Sequence, residues 1–556
     1  MSWRRLLLGA SVIFLVGLAV WRATLGLSFF DDGHYAAIPY YFAQGGVPLA
    51  SDMTIQSLGF LASAPIAFLW SAIFGTTGLV LALRIFYIAL AVAGGVVIFR
   101  ALRPSVGDVP ALVAAVAPLL APPYNIIGVS YNTVGVLAYA VALALAHSAL
   151  RDRDGRAAVW SGAALALGAV SYPPLAVGGL LFVACFAILA HNRRLSLSLL
   201  GGGAAVVAIF GAWVVLVPGL AAARRALDYS SSMWGQMAAP LTRLESYLRR
   251  LRSAFTLRSL APMWLLAVTA ALPRIPPRVR AAALALVPLA AAAPGLRALY
   301  LGNDQNFFGS RGSALLILVT AALAVPVVAW ALRAKHRPLL QLLALSASMS
   351  VANYLIVATS TNSGFEWGIA FTGLAPLAAT LLCGWALAAR DMRAPWATRA
   401  AAMALVGVLI VMLFARTFKD ANPLDLHERI RHGAAAGVVT TEARARAIAA
   451  DEAIGSRWVA EDDGVLVIAS PLSYLLVGGR ARTNAIWLNI GPSDQAAVDY
   501  FERTGKRPDV IFVALSVVEA EGGLEARAPE DPLFRWLLEH YRLAETGEHL
   551  VAYVPR

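Results

Sequence analysis

The chain has 556 residues, of which 59% are hydrophobic and 14% charged, a balance that excludes an ordinary soluble domain. Its formal charge of +13 raises nucleic acid as a partner, but most basic residues lie in short stretches between apolar runs, where membrane topology puts them, so no nucleic acid is expected. The two cysteines, Cys185 and Cys383, both fall inside apolar runs, which argues against a disulfide framework and against zinc spacing.

Apolar runs near 20 residues recur along the chain and predict an all-α polytopic membrane protein. The first, Leu6–Leu27, is too long for a signal core and lacks a small-residue cleavage site, so an uncleaved span is expected. Arg4 and Arg5 put the N-terminus in the cytoplasm and the following loop, 28–77, outside. Within that loop Leu58–Gly75 is about long enough to cross, and charge decides its placement. If it does not cross, the spans run near 78–100, 109–121, 131–150, 157–171, 174–190, 197–217, 259–273, 280–296, 312–332, 338–358, 366–390 and 398–417, about thirteen in all with the first. The inside loops then hold Arg100 and Arg103; Arg151, Arg153 and Arg156; Arg193 and Arg194; Arg274, Arg278 and Arg280; Arg333, Lys335 and Arg337; and Arg390, Arg393 and Arg399. If it crosses, all six clusters move outside, against the positive-inside rule. Leu58–Gly75 is therefore expected to be interfacial or re-entrant.

The other outer loops fall at 122–130, Ser171–Pro174, 218–258, 297–311 and 359–365. The loop 218–258 is rich in arginine, including Arg224, Arg225, Arg243 and Arg249, and reads as an amphipathic helix on anionic headgroups or as a phosphate-binding edge. After residue 418 charges become frequent and apolar spans cease. A helix over Glu442–Val459, strands over Val465–Ala469 and Val510–Leu515, and a helix over Ser493–Gly505 predict a small α/β domain, 419–556, beside a membrane domain, 1–418. An odd number of crossings places it outside the cell. It carries no glycine-rich phosphate loop or metal spacing and reads as an accessory module.

The chemistry is expected where the first span ends, at Asp31-Asp32-Gly33-His34-Tyr35, with Asp52 following a Gly-Gly-Val-Pro turn. Acids this close to a bilayer are costly unless they face water or a partner. Asp31 and Asp32 diverge by about 100° on a helix, so one faces a reaction and the other supports it. A carboxylate here can act as a general base or ligate a divalent metal, although the pattern does not require one; the plain alternative is a helix cap.

This arrangement, a first span, then DDGHYAAIPYYFAQGGVPLASD, then an apolar segment ending in Phe74-Gly75 and a span with an early Arg84, resembles the GT-C superfamily of membrane glycosyltransferases. The resemblance is to the branch that holds protein O-mannosyltransferases and lipid A aminoarabinose transferases. It implies a sugar moved from a polyprenyl-phosphate donor to an acceptor hydroxyl outside the membrane, with inversion. By position Asp31 matches the branch's catalytic base and Asp32 its second acid. The second acid is Asp in place of Glu, and the branch's phosphate-binding Lys-Pro-Pro is missing from Thr54–Pro65, which holds no Lys or Arg. Arg84, Arg311 and the loop 218–258 are the replacement candidates.

His34, Tyr35, Asp52, Tyr131, Asn132, Asn303, Asp304, Asn362 and Glu366 complete the expected substrate-binding set, as polar groups in outer loops suited to sugar hydroxyls. The expected partners are a polyprenyl-phosphate sugar, membrane lipids, and a lipid, glycan or protein acceptor, at a bacterial inner membrane. A transporter or flippase of lipid-linked glycans, and a non-catalytic envelope scaffold, are the rival readings. A transporter predicts charges paired inside spans and repeat symmetry, which the sequence lacks.

Overall fold

A computed structural model describes residues 3–235, 242, 245, 261–283, 285–287, 289–290, 324–360, 395–415, 417, 419–488, 494–520 and 523–556. Among these, six helices are long and apolar enough to cross a membrane: Leu6–Ala23, Leu79–Val106, Tyr131–Asp152, Pro173–Ala190, Arg193–Leu216 and Arg337–Ile356. The chain is a multi-pass membrane protein. Shorter apolar helices include Asp108–Leu120, Ala261–Ala271 and Ala324–Arg333. The expected span 366–390 lies outside the described residues.

Helix α1, Trp3–Ala23, ends in a turn at Gly26. Gly26 has φ +75°, and a Cβ there would collide with the Thr417 side chain, so the turn requires glycine. Helix α2, Asp31–Ala43, opens with both acids in its first turn, where they complement the helix dipole. It is buried on almost every side from Asp32 to Tyr41 and ends before Gly45, at φ +95°. A tight turn at Ile55–Phe60 leads to α3, Ala64–Phe74, and then α4, Leu79–Val106. Eleven residues of α3 span about 16 Å, roughly half a hydrocarbon core. Phe68, Leu69, Ile73 and Phe74 lie exposed along it. Leu58–Gly75 is thus a turn and a short apolar helix, each too short to cross.

The strands lie at the C-terminal end. Five form one sheet in the order β4 (Arg480–Ala481), β3 (Gly464–Ile468), β5 (Val510–Ala514), β7 (Leu550–Pro555) and β6 (Tyr541–Thr546). The β4–β3 and β3–β5 pairs are parallel, and the others antiparallel. Central strands β3 and β5 are unbroken apolar runs, buried at every position, as strands covered on both faces must be. Helices Glu442–Trp458, Asp494–Thr504 and Pro532–His540 accompany the sheet, and a short ribbon pairs β1 (Glu428–Arg429) with β2 (Val439–Thr440).

This C-terminal part is bonded directly to the chain around α2. Gly26 N–H donates to Val439 O (2.8 Å), Val439 N–H to Thr24 O (2.7 Å), Leu472 N–H to Phe29 O (3.1 Å) and Met53 N–H to Asn484 O (2.7 Å). Backbone bonds in both directions make the α1–α3 connection and the C-terminal residues one packed unit.

Candidate active site

Asp31 and Asp32 diverge as neighbours on a helix must. Asp32 points inward and is 8% exposed. It forms a buried ion pair with Nη2 of Arg84 of α4, which also donates to Gly26 O (2.7 Å), while Nη1 donates to Ala23 O (2.6 Å). Arg84 therefore staples the end of α1, the start of α2 and α4 together. Arg22, at the end of α1, is also buried and donates to Leu25 O (2.9 Å), Asn125 O (3.2 Å) and Leu413 O (2.8 Å).

Asp31 points outward. Its side chain is 20% exposed, and Oδ2 accepts from Lys419 Nζ at 3.0 Å. Burial pushes its carboxyl above the ordinary aspartate range, while Lys419 pulls it back. Lys419 also stands 4.6 Å from the centre of the Phe30 ring. Behind it, Arg444 donates to Lys419 O (2.9 Å), pairs with Asp420 (3.4 Å) and lies over Phe29. Asp420 accepts from Leu27 N–H (2.9 Å) and Thr440 Oγ1 (2.7 Å). On the same Phe29 ring His549 stacks at 3.8 Å, held through Nδ1 by buried Asp451 (2.9 Å), which also accepts from Ser473 Oγ (2.6 Å). The Phe29-Phe30-Asp31 segment is thus flanked by basic side chains from the C-terminal part.

Three expected site residues are placed differently. Arg84 was a candidate phosphate contact, but it is 5% exposed and committed to Asp32 and two carbonyls. Asp52 was a candidate substrate or metal group; it is fully buried and accepts from Thr54 N–H and Oγ1 and from Ile486 N–H (3.0 Å), joining the loop to the C-terminal part. His34 is buried in an aromatic box, edge-on to Phe60 (5.2 Å) and Trp487 (4.7 Å). Burial lowers its pKa to about 3, so the ring is neutral. Tyr35 and Asn132 meet each other, with Asn132 Nδ2 donating to Tyr35 Oη (2.6 Å), and Tyr131 packs between Phe60 and Tyr172. All three are buried. Asn303, Asp304, Arg311, Asn362 and Glu366 lie outside the described residues, as does most of the arginine-rich loop. Its described beginning is a helix, Leu220–Gly235, with Arg224 and Arg225 exposed and Ser230 Oγ accepting from Ile55 N–H (3.3 Å).

Among the described residues no three His, Cys, Asp or Glu side chains converge as metal ligands. Asp31, Asp32 and Asp52 each face a different partner. An apolar groove of about 920 Å³ runs between α3 and α4, lined by Trp70, Phe74, Leu81, Ile85, Phe86 and Ala436.

Residues 62–217 match the family model described as dolichyl-phosphate-mannose-protein mannosyltransferase. No curated protein matches the chain. Among solved structures, it is similar to ArnT from Cupriavidus metallidurans in the apo state, with a TM-score of 0.50 at 13% identity, covering 99% of this chain and 97% of that one. The chain shares the fold of this ArnT. By the matched segment and by its fold the chain resembles the protein mannosyltransferases and ArnT. Further similarities are to the same ArnT bound to undecaprenyl phosphate (TM-score 0.42, 13% identity, 99% and 97% coverage) and to an Archaeoglobus fulgidus oligosaccharyltransferase tethered to an acceptor peptide (0.47, 11%, 98% and 74%). Lys419, Arg444, Asp451 and His549 had escaped the sequence reading. The signal available for Lys419 was its place directly after the last apolar run, where a cation meets the membrane edge.

Proposed function

We propose that this chain is a GT-C glycosyltransferase that moves a sugar from a polyprenyl-phosphate donor to a hydroxyl of a lipid, glycan or protein acceptor, inverting at the anomeric carbon, with Asp31 as general base. The observation that carries the reading is the division among the three loop aspartates: Asp32 and Asp52 are locked inside, while Asp31 alone of the three keeps a partly exposed carboxylate beside a cation. The donor class is supported by the matched family, whose description names a dolichyl-phosphate sugar.

Asp31 takes the acceptor proton as the hydroxyl oxygen attacks the anomeric carbon, and the phosphate departs with the bonding electrons. A base whose carboxyl is raised by burial binds that proton more readily at neutral pH. Asp32, held by Arg84, fixes the first turn of α2 and so the direction of Asp31. An apolar carrier tail has a groove to enter between α3 and α4, on the helix that carries Arg84. Thirteen crossings, a cytoplasmic N-terminus, and the sheet and Asp31 together on the outer face of an inner membrane complete the proposal. The bonds from Val439, Leu472 and Asn484 of the C-terminal part to the chain around α2 support their sharing one side. The test is purified full-length protein in lipid nanodiscs given a panel of labelled polyprenyl-phosphate sugars and simple acceptors. The expected result is a glycoside of inverted configuration from at least one donor; no transfer from any of them overturns the proposal.

A further inference from the structure

Resting on the transfer proposed above, we infer that Lys419 is a shared cation, bound to Asp31 in the resting enzyme and to the donor phosphate as the reaction proceeds. The first observation is position. Lys419 Nζ is 3.0 Å from Asp31 Oδ2, and its side chain is 48% exposed, so the ion pair fronts open space and is reachable by a bound anion. The second is how it is held. Lys419 has φ +50°, a left-handed conformation that a non-glycine residue keeps only where its surroundings fix it. Arg444 fixes its carbonyl, and Thr417 Oγ1 donates to Ala421 O (2.6 Å) to close the turn around it. The chain thus aims a long, rotatable cation at the base from a segment 388 residues away.

The charge balance of the reaction gives that cation its work. Before transfer the Asp31 carboxylate and the donor phosphodiester each carry one negative charge. The acceptor O–H proton passes to Asp31, the acceptor oxygen bonds to the anomeric carbon, and the carbon–oxygen bond to phosphate breaks with its electron pair going to phosphate. Asp31 ends neutral, and the carrier ends as a phosphate monoester with two negative charges. Negative charge has moved from the carboxylate to the phosphate. An ammonium on a flexible stem, donating without geometric fork, can follow that movement. It favours the state in which charge develops on the leaving phosphate, where electrostatic stabilisation is most effective. In the resting enzyme the same contact holds Asp31's basicity down, and a phosphate that draws Lys419 away restores it. Donor binding thereby arms the base.

The test uses full-length protein in nanodiscs with undecaprenyl phosphate, the product-like monoester, as the binding probe. Lys419→Gln is expected to weaken its binding by about tenfold or more, and Lys419→Arg to restore most of it. In transfer assays Lys419→Gln is expected to lower kcat and to move the acid limb of kcat/KM to higher pH, because the cation that lowers the Asp31 carboxyl is gone. A residue with only a structural role would not move that limb. Unchanged binding with an unmoved limb overturns the role of Lys419 while leaving the transfer proposal standing. Wild-type protein that does not bind undecaprenyl phosphate overturns both. If Lys419→Gln lowers the melting midpoint, the comparison is repeated in an Asp31→Asn background, where the ion pair no longer supports the fold. Further weakening of probe binding there sustains the inference, and no weakening overturns it.

Discussion

Replacing Arg84 with methionine tests whether Asp32 is a supporting group or a second reacting acid. The substitution keeps most of the apolar stem and removes the guanidinium. Asp32, 8% exposed, loses its ion-pair partner, and Ala23 O and Gly26 O lose donors at 2.6 and 2.7 Å. Removing one partner of a buried ion pair costs about 3–5 kcal/mol, and two orphaned carbonyls put the expected value near the upper end. Replacing the partner as well relieves the isolated carboxylate, so Asp32→Leu/Arg84→Met is expected to be roughly 2 kcal/mol more stable than Arg84→Met alone. Unfolding by dodecyl sulfate titration in mixed micelles measures both differences. Single and double variants that unfold together at the wild-type midpoint would refute the assignment of Asp32 and Arg84 as the clasp of α1, α2 and α4.

Gly33→Ala places a Cβ 2.8 Å from the backbone nitrogen and Cα of Leu472; the turn at Pro471–Leu475 must shift off α2, and transfer is expected to fall at least about tenfold with normal membrane insertion. Wild-type rates would show that this contact does not position the site. Burial pushes the Asp52 carboxyl above the ordinary range, opposed by its bonds from Thr54 and Ile486. Its folded titration then lies above its unfolded one, so the stability it contributes is present in acid and lost as pH rises from about 4 through the raised value. Asp52→Asn is expected to flatten that slope in unfolding midpoints, and parallel slopes would contradict it. A cysteine introduced at position 76 is expected to react with an impermeant thiol reagent from outside the cell; labelling from the cytoplasm would reverse the proposed topology.

The local elements were legible because local patterns specify them. Gly464–Ile468 and Val510–Ala514 are apolar runs of five, each opening directly after an aspartate, and the covered strands stand within a residue of the expectation. Helix Glu442–Trp458 begins at the Thr441 cap, whose side chain accepts from Arg444 N–H. The divergence of Asp31 and Asp32 follows from helix geometry alone. What the sequence could not disclose are pairings between distant residues. Nothing near Asp31 indicates that its cation comes from Lys419, and nothing near Asp52 indicates that its second oxygen accepts from Ile486. Arg84 reads equally well as a residue reaching toward headgroups or as one turned inward; the choice is made by the carbonyls of Ala23 and Gly26, which the turn at the end of α1 leaves in need of donors. His34 misled for a related reason: its polarity suggested a site, but Phe60 and a distant Trp487 enclose it.

The base assignment is tested most directly by single-turnover transfer from a labelled polyprenyl-phosphate sugar by wild type and Asp31→Asn, with undecaprenyl phosphate binding measured on both. An amide keeps the shape of the side chain and cannot accept the proton, so the chemical step is expected to slow by about 10²–10⁴-fold while the carrier still binds. Transfer by Asp31→Asn at the wild-type rate would contradict the account at its centre.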